Sequence, residues 1–150
     1  MQIMCIEAAQ NVLGKNCISV ENLKNNEDRE WYHSIIIPMQ ELNYDEMGGT
    51  MKLGLKKSII NDTNSLAYKI YNSSTIYERH RHRYEVNPKY INIIEQNDLY
   101  FSGSDESGNC MDIVEDPHHI FYIGCQFHPE FKSSIENPCP LFKSFVLNCI

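Results

Sequence analysis

Apolar positions along the chain alternate between helical and extended spacings. Near the N-terminus, Ile6, Ala9 and Leu13 fall on one helical stripe, and Gly14 follows where helices often end. A second helical stripe begins near Pro140 and repeats its apolar residues every fourth position. Between these helices, short apolar or β-branched segments separated by Gly, Asp, Asn and Pro predict strands at 34–39, 50–55, 57–60, 76–86, 99–102, 110–115 and 120–127.

Two shorter helical segments are predicted among these strands. Asn87 and Pro88 are typical of a helix N-cap and first helical position, and this helix should continue to about Gln96. One helical turn at 66–71 lies in a segment rich in Asn, Ser and Thr, whereas the polar residues 15–33 favour a loop. Helices and strands mixed in this order, without an internal repeat, favour a layered α/β fold in one domain.

Composition narrows the class of protein. Of 150 residues, 42% are hydrophobic and 22% are charged, which is ordinary for a globular domain, and no apolar run suits a membrane span. The net charge of −7 argues against general binding to nucleic acid or to an anionic membrane surface. The six scattered cysteines and the lack of a cationic N-terminal signal favour reduced thiols and a cytoplasmic location.

The segment QFHPEF lies at the end of the last predicted strand and carries a candidate catalytic pair. Pro129 favours an extended conformation for His128, so that His128 and Glu130 face the same side of the chain. A carboxylate beside an imidazole is the base and its orienting partner in a catalytic triad. Taken alone, the short tripeptide is more typical of an ordinary surface turn.

A second segment, ERHRHRYEVNP, concentrates basic side chains on a predicted strand. Extended backbone places Arg79, Arg81 and Arg83 on one face and His80 and His82 on the other. Three interpretations remain open from the residues alone: a solvated edge strand, an arginine face that recognises an anion, or a metal-binding histidine pair without a nearby third ligand.

Taken together and in order, these segments resemble the amidotransferase domain of the CTP synthase family. ERHRHRYEVNP corresponds to the family's basic strand, and QFHPEFKS corresponds to its histidine motif. Further matches are the helix at 1–14, MGGTMKLG at 47–54, Leu99 to Gly103 with Asp105 followed by Met111 to Glu115, and Pro-Leu-Phe at 140–142. The resemblance implies the α/β, three-layer fold of a class I glutamine amidotransferase.

The resemblance also implies roles for individual residues. His128 would be the general base and acid, and Glu130 would orient it. Met1 and Gln2 would help to form the glutamine pocket and its oxyanion site. Glu21 would hold the ammonium group of the substrate, and Arg83 would hold its carboxylate.

One part of the family pattern is not matched. The family's cysteine nucleophile lies three residues before the methionine that Met1 matches, so the resemblance predicts a fold without its first strands and nucleophile elbow. Residues 1–150 would then be a partial glutamine amidotransferase type 1 domain. Cys5 and Cys125 are interpreted as packing residues, not as substitute nucleophiles. We also expect the isolated chain to be prone to aggregation.

The implied parent is a ligase that makes CTP from UTP, ATP and ammonia released from glutamine. Its ATP and magnesium would bind to a synthetase domain that this chain lacks, so no cofactor or metal is expected here. The expected partners are L-glutamine, that synthetase domain and further subunits of a homo-oligomer, with no nucleic acid or membrane. The alternatives are a catalytically inactive module for glutamine binding, regulation or assembly, and a different class I amidotransferase.

Overall fold

The structure is a computed structural model that describes residues 1–23, 32–39 and 51–150. Three sequence features lie outside the described residues: a charged run at 24–30, a predicted turn at Gly48-Gly49, and the first half of MGGTMKLG. Within them, the helices are α1 (Gln2–Leu13), α2 (Leu66–Tyr71), α3 (Ile91–Glu95) and α4 (Pro140–Leu147), with 3-10 turns at Val20–Asn22, Pro88–Tyr90 and Pro129–Lys132.

The described strands form two sheets. The strands are β1 (Cys17–Ser19), β2 (His33–Pro38), β3 (Lys52–Ile60), β4 (Thr75–His82), β5 (Tyr84–Val86), β6 (Tyr100–Asp105), β7 (Met111–Glu115) and β8 (Ile123–Cys125). The smaller sheet has the order β1-β2-β5, with β1 parallel and β5 antiparallel to β2. The larger sheet is antiparallel, with the order β4-β3-β6-β7-β8.

Helix termini follow the predicted capping residues. Gly14 ends α1 with φ of 84°, and its N–H donates to the carbonyl of Gln10 at 2.9 Å. The Asn87 side chain accepts from the N–H of Lys89 at 3.1 Å, which confirms its role as an N-cap. The predicted single helix after it is a 3-10 turn followed by α3.

Two apolar cores lie on opposite faces of the larger sheet. Ile113 and Val114 are adjacent on β7, both are fully buried, and their side chains point to opposite faces. Val114 belongs to the core beneath α1, α3 and the smaller sheet, whereas Ile113 belongs to the core beneath α2 and α4. Layers on both faces of a sheet confirm the predicted α/β architecture.

The prediction of one continuous strand at 76–86 is wrong in one respect, because the strand is interrupted at Arg83. β4 pairs with β3 in the larger sheet, where His82 lies opposite Lys52. β5 pairs with β2 in the smaller sheet, where Tyr84 lies opposite Pro38. The chain therefore passes from one sheet to the other at Arg83, and local alternation contains no signal of that exchange of partners.

Other boundaries also differ from the prediction. The strands predicted at 50–55 and 57–60 are one strand, β3, within the described residues. The strand predicted at 120–127 is limited to Ile123–Cys125, because residues 116–122 form a loop closed by the N–H of Asp116 donating to Tyr122. β1 lies within the segment predicted as loop. No helix among the described residues has the length and apolar character needed to cross a bilayer.

Candidate active site

His128 lies in a turn whose backbone is held by two strands of the larger sheet. The Gln126 N–H donates to the backbone carbonyl of Asp112 in β7 at 2.9 Å, and the His128 N–H donates to the backbone carbonyl of Arg79 in β4 at 2.8 Å. His128 is extended, with φ of −105° and ψ of 91°, as Pro129 requires. The imidazole is thereby presented from a rigid element at the end of β8.

The imidazole and the Glu130 carboxylate form a hydrogen bond of 2.7 Å between Nδ1 and Oε1. Desolvation raises the pKa of Glu130, but the hydrogen bond with His128, a backbone hydrogen bond and the charge interaction with His128 together outweigh it, so the pKa is lowered. The ionised carboxylate accepts a hydrogen bond from Nδ1–H, which leaves Nε2 as the basic nitrogen. The ring also stacks on Phe131 at a centroid distance of 4.8 Å. This geometry is that of an oriented general base.

The start of α1 approaches the strand that leads to His128. A Cβ atom on Gly124 would lie 3.0 Å from the Cα of Met1, so this close approach requires glycine. The Gln2 Nε2 donates to the carbonyl of Tyr84 and to the Oε1 of Gln126, each at 3.3 Å. Met1 and Gln2 are therefore brought to the residues immediately before His128.

Arg83 and Glu21 lie on the surface of the described structure. Arg83 is exposed at the break between β4 and β5, and its carbonyl accepts from the N–H of Met39 at 2.9 Å. It directly precedes Tyr84, whose carbonyl binds Gln2. Glu21 is exposed in the 3-10 turn after β1, and its side chain forms no hydrogen bond with the other predicted site residues that the structure describes. The assigned roles of both residues stay predictions.

The histidines of β4 belong to a buried polar cluster. Lys52 binds Asp112 at 2.8 Å, with side chains 8% and 0% exposed, and Ser58 donates to the same carboxylate at 2.6 Å. His80 Nδ1 lies 3.1 Å from His82 Nε2, and His82 Nδ1 donates to Tyr84 O at 2.8 Å. Desolvation lowers the pKa of His80 to about 3 and also lowers the pKa of His82, so both are neutral.

This cluster changes the interpretation of the basic segment. β4 is an edge strand, and Arg79 and Arg81 are exposed, as the edge-strand interpretation requires. His80, however, is 1% exposed and contributes to the interior. Donor atoms of His80, His82 and Asp112 lie within 4.8 Å of one another, but Lys52 already supplies the cation at Asp112. We interpret the cluster as structural.

Replacing Asp112 with alanine should destabilise the protein by about 3 to 5 kcal/mol, because the buried Lys52 ammonium would lose its counter-charge. Denaturant unfolding monitored by circular dichroism measures the change. Glu106→Ala is the matched control, since it breaks the exposed 2.8 Å pair with Lys57 and should leave the unfolding midpoint nearly unchanged. Equal shifts in both variants would contradict a special role for the buried pair.

Cys5 and Cys125 do not provide a reactive thiolate near this site. All six cysteines are free in the structure. Burial raises the pKa of Cys5 to about 12, and burial likewise raises the pKa of Cys125 to about 12. Both thiols are therefore protonated at neutral pH, in agreement with their interpretation as packing residues.

The family model for glutamine amidotransferase class-I matches residues 1–148. The chain belongs to the class-I glutamine amidotransferase family. Its curated relatives include CTP synthases from three domains of life. That of Aquifex aeolicus is 41% identical over all of this chain and 28% of its own length. That of Methanothrix thermoacetophila is 44% identical over 97% of this chain and 26% of its own length. CTP synthase 2 of Bos taurus is 40% identical over 98% of this chain and 25% of its own length.

A solved structure shows the same class-I amidotransferase fold. The glutaminase domain of Trypanosoma brucei CTPS with bound acivicin superposes with a TM-score of 0.83 and 34% identity, covering 97% of this chain and 55% of that chain. The resemblance of this chain to the amidotransferase region of CTP synthases is confirmed. The chain spans about a quarter of the length of the curated relatives it matches.

Proposed function

We propose that residues 1–150 are the C-terminal part of the glutamine amidotransferase type 1 domain of a CTP synthase. In this role they supply the histidine and glutamate of a Cys-His-Glu triad and part of the glutamine pocket. The observation that supports this assignment is the 2.7 Å hydrogen bond from His128 Nδ1 to Glu130 Oε1, on a turn next to the start of α1. The similarity to CTP synthases supports the choice of parent enzyme.

The proposed chemistry needs a cysteine thiolate from outside these residues, since Cys5 and Cys125 are protonated. His128 Nε2 removes the proton of the cysteine thiol, the resulting thiolate attacks the side-chain amide carbon of glutamine, and the tetrahedral adduct expels ammonia, which takes that proton from the His128 imidazolium. The product is a thioester. His128 Nε2 then removes a proton from water, hydroxide attacks the thioester carbon, and glutamate leaves as the thiolate is regenerated. Glu130 stabilises the imidazolium formed in the first half of the cycle.

The remaining parts of the proposal concern the whole protein. Ammonia released at this site would be joined to UTP in a synthetase domain that binds ATP and magnesium, and the product would be CTP. No cofactor or metal is assigned to these 150 residues themselves. The synthetase domain and further copies of the protein are the proposed partners, and the cytoplasm is the proposed location.

The test compares the full-length gene product with residues 1–150 alone. We expect the full-length protein to release glutamate and to form CTP from either glutamine or ammonia, whereas the 150 residues alone should show no glutaminase activity above background. Sequencing the DNA upstream of the first codon adds a direct check, because an in-frame G-x-C-x-G motif would supply the nucleophile. Turnover by the short chain that disappears in Cys5→Ser would overturn this assignment.

A second candidate function is a catalytically inactive module that binds glutamine. This alternative agrees with the raised pKa values of Cys5 and Cys125, which leave neither thiol as a nucleophile. Glutamine binding measured by calorimetry without any glutamate release by the full-length gene product would establish this alternative. An upstream cysteine motif together with glutamate release would exclude it.

A further inference from the structure

Three segments of the site meet at the carbonyl of Tyr84. The Gln2 side chain comes from the start of α1, Tyr84 follows Arg83 at the break between sheets, and Gln126 lies two residues before His128. Gln126 Nε2 donates to Tyr84 O at 3.3 Å, and Gln2 Nε2 donates to both Tyr84 O and Gln126 Oε1 at 3.3 Å. We propose that Gln126 is a positioning residue that fixes the orientation of the Gln2 amide. This inference rests on the proposed function.

The hydrogen bonds define one orientation for each amide group. Reversing the Gln2 amide would place its Oε1 against two acceptors, Tyr84 O and Gln126 Oε1. Reversing the Gln126 amide would place an oxygen against Tyr84 O and an NH₂ group against the NH₂ of Gln2. Both reversals replace attraction with repulsion, so the two amides select each other's orientation.

Burial makes this selection strong. Gln126 is 8% exposed, so water cannot readily replace a lost partner, and a buried polar group left without one is destabilising. The backbone of Gln126 is also held, because its N–H donates to the Asp112 carbonyl at 2.9 Å. Gln126 therefore acts as a rigid reference to which the more exposed Gln2 side chain is attached.

The oriented Gln2 amide leaves its oxygen available to a ligand. The Gln2 amide nitrogen donates to Tyr84 O and Gln126 Oε1, whereas its Oε1 forms no hydrogen bond with the residues that the structure describes. That oxygen is left as an acceptor for an N–H group of a bound ligand. A substrate with an amino or amide group, such as glutamine, supplies such a donor. Without Gln126 the Gln2 amide is free to rotate, and part of its population presents the wrong atom.

The test uses Gln126→Leu and Gln126→Glu in the full-length protein, with steady-state kinetics for glutamine and for ammonia. Leucine removes both polar contacts, whereas glutamate keeps an acceptor for Gln2 but loses the donor to Tyr84. We expect KM for glutamine to rise about tenfold or more in each variant, with a smaller change in kcat. CTP formation from ammonia should stay within about twofold of wild type, because ammonia bypasses the glutamine pocket.

Asn97→Leu is the matched control. Its side-chain amide donates to the Ala8 carbonyl of the same helix α1 at 3.2 Å, away from Gln2, so KM for glutamine should not change. A fall in kcat at unchanged KM in the Gln126 variants would show a merely structural role and overturn the inference. Failure of both Gln126 variants to fold, while Asn97→Leu folds, would overturn it as well. A wild-type protein that releases no glutamate would instead overturn the proposed function.

Discussion

Replacing His128 with alanine in the full-length protein is expected to lower glutamine-dependent CTP formation by a factor of about 10³ or more. His128 would both protonate the leaving ammonia and activate the water that cleaves the thioester. Because the members of a triad act as a unit, removing one of them abolishes most of the rate that the whole triad supplies. Its imidazole is oriented by Glu130 at 2.7 Å and by stacking on Phe131. Glutamate release from glutamine, together with CTP formation measured with glutamine and with ammonia, determines the loss.

Two further substitutions separate catalysis from folding. Glu130→Gln keeps the size of the side chain but removes the charge that stabilises the imidazolium, so an intermediate loss of glutamine-dependent activity is expected. His118→Ala removes an exposed imidazole that lies 3.9 Å from Asp98, and it should leave the activity unchanged. Glutamate release that survives His128→Ala would exclude His128 as the base. A parallel loss of ammonia-dependent activity would indicate a folding defect instead.

The elements of the fold that depend on local patterns could be predicted from the sequence. The stripe in α1, its end at Gly14 and the Asn87 cap are decided by neighbours a few residues away, and the structure contains all three. The break at Arg83 was not predictable in this way, because β4 and β5 differ in their pairing partners and not in their alternation. β1 was missed for a related reason, since three residues paired with the more distant β2 leave little periodic signal.

The site shows the same division between local and distant contacts. The contact between His128 and Glu130 follows from extended backbone and a spacing of two residues, so the sequence predicts it directly. The partners of Lys52 and Gln126 are distant in sequence, and no local pattern shows that a buried charge is paired or an amide oriented. The QFHPEF motif includes Gln126, but its position between two apolar residues favours an ordinary strand end.

The arginine at the break between sheets should discriminate between the two nitrogen donors. Arg83→Ala in the full-length protein is expected to lower kcat/KM for glutamine by about 10²-fold, because the substrate carboxylate would lose its charge-assisted hydrogen bonds to the guanidinium. The guanidinium is exposed, and the backbone carbonyl that binds Met39 is kept in the variant, so the fold should not change. CTP formation from ammonia should therefore remain within about twofold of wild type.

The control for this prediction lies on the same strand. Arg81 is exposed two residues earlier on β4, within the larger sheet and before the break, so Arg81→Ala should leave kcat/KM for glutamine unchanged. Arg83→Lys should recover only part of the loss, since an ammonium cannot form the paired contacts that a guanidinium makes with a carboxylate. The loss should appear mainly in KM, because the carboxylate is bound equally in the ground state and the transition state. An equal loss with glutamine and ammonia would show that Arg83 supports the fold and does not bind the substrate.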